Sequence, residues 1–306
     1  MHAEYSGTHL CESHFFESVE RRVQRRIRDN NLLESDNETW VIGLSGGKDS
    51  VVLTYILHET FAKDPRVEMI CLSIHEGIEG YRDESLAASK EVTKQLNLQH
   101  ETVSYAEEFD IEMDNVVEED PENMAACAYC GVFRRDILAR YAKQFNADKL
   151  LTGHNLDDEA ETALMNILEG DVSQIAKHFD ASLGPFDERH ANEDMIPRAK
   201  PLRDIPEKEV ALYAQLKDLP VHMEECPHAS ESFRGKIQDM LLDLETDHPG
   251  TRHSIMAGYE KLAKLAAAKY RDESTSSNMS TCEKCGAPTT GDVCQKCSLL
   301  ESISAD

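Results

Sequence analysis

The sequence predicts an α/β fold, a parallel twisted sheet with helices on both faces. Three observations carry that prediction. Short apolar runs of strand length, at residues 40–44, 67–74 and 148–152, alternate with segments of helical periodicity. Each run ends in a turn and then opens a helix, which is the βαβ rhythm of a parallel sheet. Finally, the chain has 306 residues, 40% of them hydrophobic, enough for one large domain with small appendages.

Near the start, Phe15, Phe16, Val19, Val23 and Ile27 recur at helical spacing. The other face carries Arg21, Arg22, Arg25, Arg26 and Arg28. In so acidic a chain this cluster reads as a phosphate-backbone contact for RNA, through Arg21, Arg22, Arg25 and Arg26. The plainer alternative is a solvated helix face paired with nearby Glu and Asp. Cys11 and His14, spaced Cys-x-x-His, supply half a zinc site.

The stretch Trp40 to Ser50, WVIGLSGGKDS, organises the rest. An apolar strand runs into Ser45-Gly46-Gly47-Lys48-Asp49-Ser50, and residues 51–57 continue as a buried helix. Strand, glycine turn and helix together aim unpaired backbone N–H groups at an anion. Gly46 and Gly47 permit close approach, Ser45 and Ser50 offer hydroxyls, and Lys48 adds a point charge. The spacing matches neither the P-loop of Walker type nor the dinucleotide glycine fingerprint. Asp49, an anion inside a phosphate cradle, makes sense through a bridging Mg²⁺.

Further along, residues 67–74 form a buried strand ending at Ile74, and His75 opens a glycine-punctuated loop to Arg82. A helix over 83–96 and a strand over 99–105 follow. The acidic residues 106–123 read as a surface loop. A helix over 131–145 leads into the strand at 148–152, and Gly153-His154-Asn155-Leu156-Asp157-Asp158 opens the next helix. Ligands of parallel sheets sit at the carboxyl ends of strands. The loops at Ser45, His75 and Gly153 therefore face one crevice. Residues 171–200 are loop-rich, and helices at 207–218, 232–246 and 251–271 complete the body. Residues 274–280 form a polar linker.

The nine cysteines are grouped. Without a secretory signal they argue for metal binding or catalysis rather than disulfides. Cys282-x-x-Cys285 and Cys294-x-x-Cys297 form a zinc ribbon. Cys127-x-x-Cys130 opens a helix followed by Arg134 and Arg135, so dipole and guanidinium are expected to lower the thiol pKa. Cys226 adds a third thiolate. Three cysteines leave one metal position open, which suits an iron–sulfur cluster with a labile iron. A persulfide and disulfide pair of Cys130 and Cys226, or zinc completed by His228, are the other readings. Cys71 lies alone in an apolar strand and reads as core.

The formal net charge of -26 indicates a surface adapted to molar salt, where the Debye length is about 3 Å. No run of 18 apolar residues occurs, so a soluble cytoplasmic protein is expected.

SGGKDS resembles the PP-loop of the ATP pyrophosphatases, which have the adenine nucleotide alpha-hydrolase-like fold. With GHNLDDEAET and CxxCGVFRR added, the chain resembles the TtuA/NcsA-type tRNA 2-thiouridine synthetases, including the cytosolic wobble-uridine thiolation enzymes. The resemblance runs over nearly the whole chain, and with the charge it points to a halophilic archaeon. It implies ATP, Mg²⁺, Zn²⁺ and a [4Fe-4S] cluster as cofactors. ATP would contact residues 45–50, Ile74, His75, Gly153 and His154. The catalytic set would be Asp49, Cys127, Cys130, Cys226, Asp158 and Arg134, with Asp158 favoured over Asp157. The enzyme would adenylate O2 of a tRNA uridine, U34 foremost, and replace the oxygen with sulfur. Sulfur would come from a ubiquitin-like thiocarboxylated carrier charged by an E1-like enzyme. Thiolation of U54 or of a cytidine, and a zinc-ribbon scaffold without catalysis, are the alternatives. A homodimer and an earlier natural start, supplying the cysteine pair missing before Cys11, are also expected. The resulting domains are a partial zinc finger with basic helix (1–30), the ATP-binding domain (31–200), a helical part (201–273), and linker with ribbon (274–306).

Overall fold

The structure is a computed structural model that describes residues 1–119, 122, 124–176, 196–228, 233–273 and 280–304. Its centre is β3 (Glu38–Gly43), whose pattern of burial leaves Trp40, Val41 and Ile42 fully enclosed. Parallel pairing on one side joins it to β4 (Val67–His75), then β5 (Gln99–Ser104). On the other side lie β6 (Lys149–Leu151) and β7 (Arg198–Ala199). The order β5-β4-β3-β6-β7 is entirely parallel. A short hairpin, β1 (His2–Ala3) and β2 (Thr8–His9), precedes the body.

Because side chains alternate along a strand, the sheet buries two cores. On one face Trp40, Ile42 and Cys71 pack with α1 (Glu12–Asp29), α2 (Lys48–Phe61) and α8 (Glu207–Leu216). On the other, Val41, Leu72, Ile74 and Leu150 pack with α6 (Ala126–Gln144). α7 (Leu156–Leu168) forms a third cluster with α9 (Phe233–Asp247) and α10 (Thr251–Glu273). α3 (Arg82–Leu96) fills the β4–β5 crossover.

Two expectations need correction. Residues 106–123 are not one surface loop. They include most of α4 (Tyr105–Phe109) and all of α5 (Met113–Glu119), whose Met113 and Val116 are core residues. Ser104 and Glu107 form a capping box that starts α4, so the acids there serve the helix. The last sheet strand, β7, is two residues long, too short for sequence periodicity to show it. The loop-rich stretch at 171–200 and the linker at 274–280 lie largely outside the described residues. No helix among the described residues is long and apolar enough to cross a membrane.

Candidate active site

The loop after β3 is held from inside. Ser50 Oγ accepts from the backbone N–H of Ser45 at 3.1 Å and of Gly46 at 3.2 Å, and donates to the Gly47 carbonyl at 3.0 Å. Its hydroxyl thus shapes the cradle, and Ser50 also lines the cleft. Gly46 has φ +87, and a Cβ there would lie 1.8 Å from the Ser85 carbonyl oxygen, so only glycine fits. Gly47 caps α2 without any side-chain bond, leaving the N-terminal N–H groups for an anion.

The loop after β6 meets the cradle closely. A Cβ on Gly153 would come within 2.8 Å of the Asp49 backbone carbon. Asn155 bridges the two loops. Its Oδ1 accepts from Asp157 and Asp158 N–H groups, capping α7, while its Nδ2 donates to Asp49 Oδ1 at 2.9 Å. The two acids of α7 then part. Asp157 accepts from Glu207 N–H and pairs with Arg252 at 2.9 Å, holding α8 and α10 in place. Asp158 lines the cleft alongside Asp49. Burial pushes both carboxyls up, and the Asp158 charge adds to the push on Asp49. Two partly buried carboxylates lining one cleft are a donor set that fits a divalent cation. Lys48 pairs with Asp49 at 3.1 Å and also reaches Glu207 at 2.7 Å.

These loops open onto a cleft of about 600 Å³ at the carboxyl ends of β3, β4 and β6. Leu44, Leu72, Ile74, Leu138 and Leu150 give it an apolar floor, and Ser45, Asp49, Gly153, His154 and Asp158 its polar rim. Loss of water in the cleft pushes His154 down to about 4, so its imidazole is neutral at neutral pH. Sequence reasoning missed Glu76 and Arg82. Arg82 donates to the carbonyls of Ile74 at 2.6 Å and Ser45 at 3.0 Å, and its Nε pairs with buried Glu76. It fastens the cradle to the end of β4. His75, expected beside ATP, does not line the cleft. Its Nδ1 accepts from Gly77 N–H and its Nε2 faces Asp83 at 3.3 Å.

Cys127 and Cys130 lie in the first turns of α6. Arg134 donates to Cys130 Sγ at 3.1 Å and to Glu76 at 2.9 Å, and lines the same cleft. The expected low thiol pKa is overturned for Cys130. Burial pushes it up, and the pull of Arg134 does not offset that. The Cys130 sulfur in turn holds Arg134 firmly cationic. Cys226 arrives by a separate route: His222 N–H donates to Gly46 O at 2.9 Å in a parallel bridge, so the segment runs along the cradle. Burial pushes the Cys226 thiol up, and charge on Cys130 and Cys127 adds to it. All nine cysteines are free thiols. His228, considered as a fourth zinc ligand, is held by Asp114 at 2.6 Å. The sulfurs of Cys127, Cys130 and Cys226 do not all lie within 4.8 Å of one another, as one zinc would need. Ligands of an iron–sulfur cluster bind different irons and stand further apart, so the donor set fits a cluster better than zinc.

The C-terminal cysteines do close around one point. Cys282, Cys285, Cys294 and Cys297 have ligand atoms all within 4.8 Å, with Cys285 and Cys294 sulfurs 3.6 Å apart. Tetrahedral thiolates at about 2.3 Å from zinc demand such spacing. The site hangs on β8 (Ser280–Thr281), β9 (Pro288–Thr289) and α11 (Gln295–Ser304). Leu299 is buried against the α6 core, and Lys296 pairs with Asp136 of α6 at 3.0 Å. Cys11 and His14 stand 3.1 Å apart, and no metal cluster includes them among the described residues. The arginines of α1 divide. Arg22 pairs with Glu209 and Arg26 with Asp204, while Arg21 and Arg25 stay exposed, Arg21 beside Glu17. Half of the expected RNA face is thus turned to internal contacts.

A parallel sheet with a glycine cradle at its central strand, paired carboxylates beside it and an adjoining apolar cleft defines a nucleotide-binding α/β protein of PP-loop type. The PP-loop domain family matches residues 16–244. The tRNA 2-thiolation protein NcsA of Haloferax volcanii is 64% identical over 310 residues, 100% of this chain and 96% of the relative. Cytoplasmic tRNA 2-thiolation protein 1 of Danio rerio is 36% identical over 302 residues, 98% of this chain and 84% of the relative. A solved U34-tRNA thiolase from Methanococcus maripaludis, with its [4Fe-4S] cluster, is 34% identical with TM-score 0.76, covering 86% of this chain and 84% of that one. The chain therefore belongs to the tRNA 2-thiolation family of PP-loop proteins.

Proposed function

We propose that this protein is an ATP-dependent tRNA 2-thiolation enzyme acting on uridine 34 in the cytoplasm. The observation that carries this is the shared cleft: Ser45, Asp49 and Ser50 of the cradle, Asp158, and Arg134, which is bonded to Cys130, all line it. Backbone N–H groups at Gly47 and the start of α2 hold the β- and γ-phosphates of ATP. Asp49 and Asp158 would hold Mg²⁺, whose charge would offset that of pyrophosphate. Uridine O2 attacks the α-phosphorus, the bond to pyrophosphate breaks, and O2 becomes part of a good leaving group. Sulfide then bonds to C2 and the C2–O bond breaks, releasing AMP without any change of oxidation state. Cys127, Cys130 and Cys226 would hold a [4Fe-4S] cluster, which supplies a site for sulfide when bound. Arg134 stays cationic beside Cys130 and offsets negative charge gathering there. His154, neutral, adds no competing charge at the rim. A ubiquitin-like thiocarboxylated carrier supplies the sulfur, and its E1-like activation and a homodimeric state belong to the same reading. Residues 31–200 carry the ATP chemistry.

Mass spectrometry of tRNA nucleosides from a deletion strain tests this reading: 2-thiouridine at position 34 disappears and returns with the wild-type gene. Unchanged 34 with loss at 54, or of thiocytidine, would contradict it.

The ribbon is proposed to bind one Zn²⁺. Cys285→Ser is expected to lower zinc by about one equivalent per chain and to reduce stability, since metal binding there is coupled to folding. Zinc content by elemental analysis checks this, and an unchanged value refutes it.

A further inference from the structure

Five cations line the cleft: Arg82, Arg134, Arg135, Arg198 and Lys200. Three have carboxylate partners. Arg82 and Arg134 share Glu76, and Lys200 lies 2.5 Å from Glu159. Arg135 and Arg198 have no carboxylate partner among the described residues. The contact that joins them is a hydrogen bond from Arg198 Nη2 to the Arg135 carbonyl at 3.4 Å. Desolvation, then a neighbouring positive charge, holds both below the usual guanidinium range. Both side chains are exposed at the cleft, so two neighbouring guanidinium groups without a counter-anion among the described residues are open to an external anion.

The topology says which anion. Arg198 begins β7, the outermost strand, in register with Leu150 of β6. Strands lie about 4.8 Å apart, so β7 is displaced by about 10 Å from β3, whose loop takes the ATP phosphates. Ile74 and Arg82, which border the other end of the cleft, belong to the β4 side. Arg135 sits on α6, one turn beyond Gly131, which follows Cys130 directly. The pair thus adjoins the cysteine helix, at the sheet edge away from the nucleotide cradle. A chain of net charge -26 repels RNA over most of its surface, so RNA must be caught by a local cationic site. A base extruded for chemistry carries its own phosphates to the mouth of the pocket.

Resting on the thiolation reading above, we propose that Arg135 and Arg198 grip a backbone phosphate of the RNA beside the target uridine. They seat the uridine between the cysteines and the nucleotide. ATP is held elsewhere, and neither arginine contacts it.

The test uses the full-length holoprotein with Arg135→Gln, Arg198→Gln, the double variant, and both Arg→Lys variants. tRNA affinity is measured across a KCl series, ATP affinity separately, and thiouridine formation gives KM and kcat. The double Gln variant is expected to raise KM for tRNA roughly 10- to 100-fold, the loss of charge-assisted bonds. Its slope of log affinity against log salt should be shallower by about 0.7 for one phosphate. ATP affinity and kcat stay within about twofold. Lys variants restore the salt slope but only part of the affinity, because they lack the fork. A fall in ATP affinity with an unchanged tRNA slope overturns the proposal and gives the pair to the nucleotide. No change in either also overturns it. Wild-type protein that makes no thiouridine would defeat the thiolation reading instead, while the salt slopes would still decide whether the pair holds RNA.

Discussion

Asp49→Ala is expected to cut tRNA-dependent pyrophosphate release by about a thousandfold, the scale on which loss of a transition-state charge stabiliser acts. The fold should survive. Asp49 lies at the cradle rather than in a core cluster, and burial already pushes its carboxyl up, so the native state gains little from its charge. The variant loses one ion contact with Lys48 and one bond from Asn155, both at the cleft. Lys48 keeps Glu207, so it is not left unpaired. Asp49→Asn separates shape from charge, since its amide oxygen still accepts from Asn155. It should be as inactive as alanine, with an unchanged melting temperature. A pyrophosphate assay checks both variants, and normal release by either would show that Asp49 holds no metal.

The second large effect is at the cysteines. Replacing Cys127, Cys130 or Cys226 with alanine should each abolish thiolation while ATP affinity stays within about twofold. In the proposed reading ATP would rest on backbone groups of a loop whose internal bonds involve none of the three. Iron and sulfide bound after anaerobic purification should fall with each substitution. A sulfur relay through Cys130 and Cys226 alone makes the opposite forecast: Cys127→Ala remains active, and aerobic protein without iron works. The exposed position of Cys127 makes its substitution the cleanest of the three, because no packing is lost with it. Activity in iron-free protein would end the cluster proposal.

The parts of this site that were legible in the sequence are those built from neighbouring residues. The SGGKDS turn, the two CxxC pairs of the ribbon and the acids opening α7 are local patterns with a direct mechanical meaning. What escaped acts across the fold. Asn155 matters because its amide reaches Asp49 across 106 positions, and a helix cap ordinarily explains such a residue fully. Glu76 and Arg82 form a buried pair whose role appears only when α3 and β4 are in place. The route of Cys226 depends on His222 adding to the cradle backbone, which no side-chain pattern records. The capping box at Ser104 and Glu107 was visible, and would have corrected the loop expected at 106–123. His75 and Arg22 show the reverse error. Each has the right residue type, but a local bond from Gly77 N–H claims His75 and a long-range pairing with Glu209 claims Arg22.

The most direct test of the shared cleft is a single turnover under anaerobic conditions. Reconstituted protein, unmodified tRNA, ATP and inorganic sulfide are mixed, and AMP and nucleosides are quantified from the same samples. The cleft predicts one AMP formed for each 2-thiouridine, appearing at position 34 and absent without ATP. Thiouridine formed without ATP, or AMP released by the triple cysteine variant together with thiolated tRNA, would contradict it.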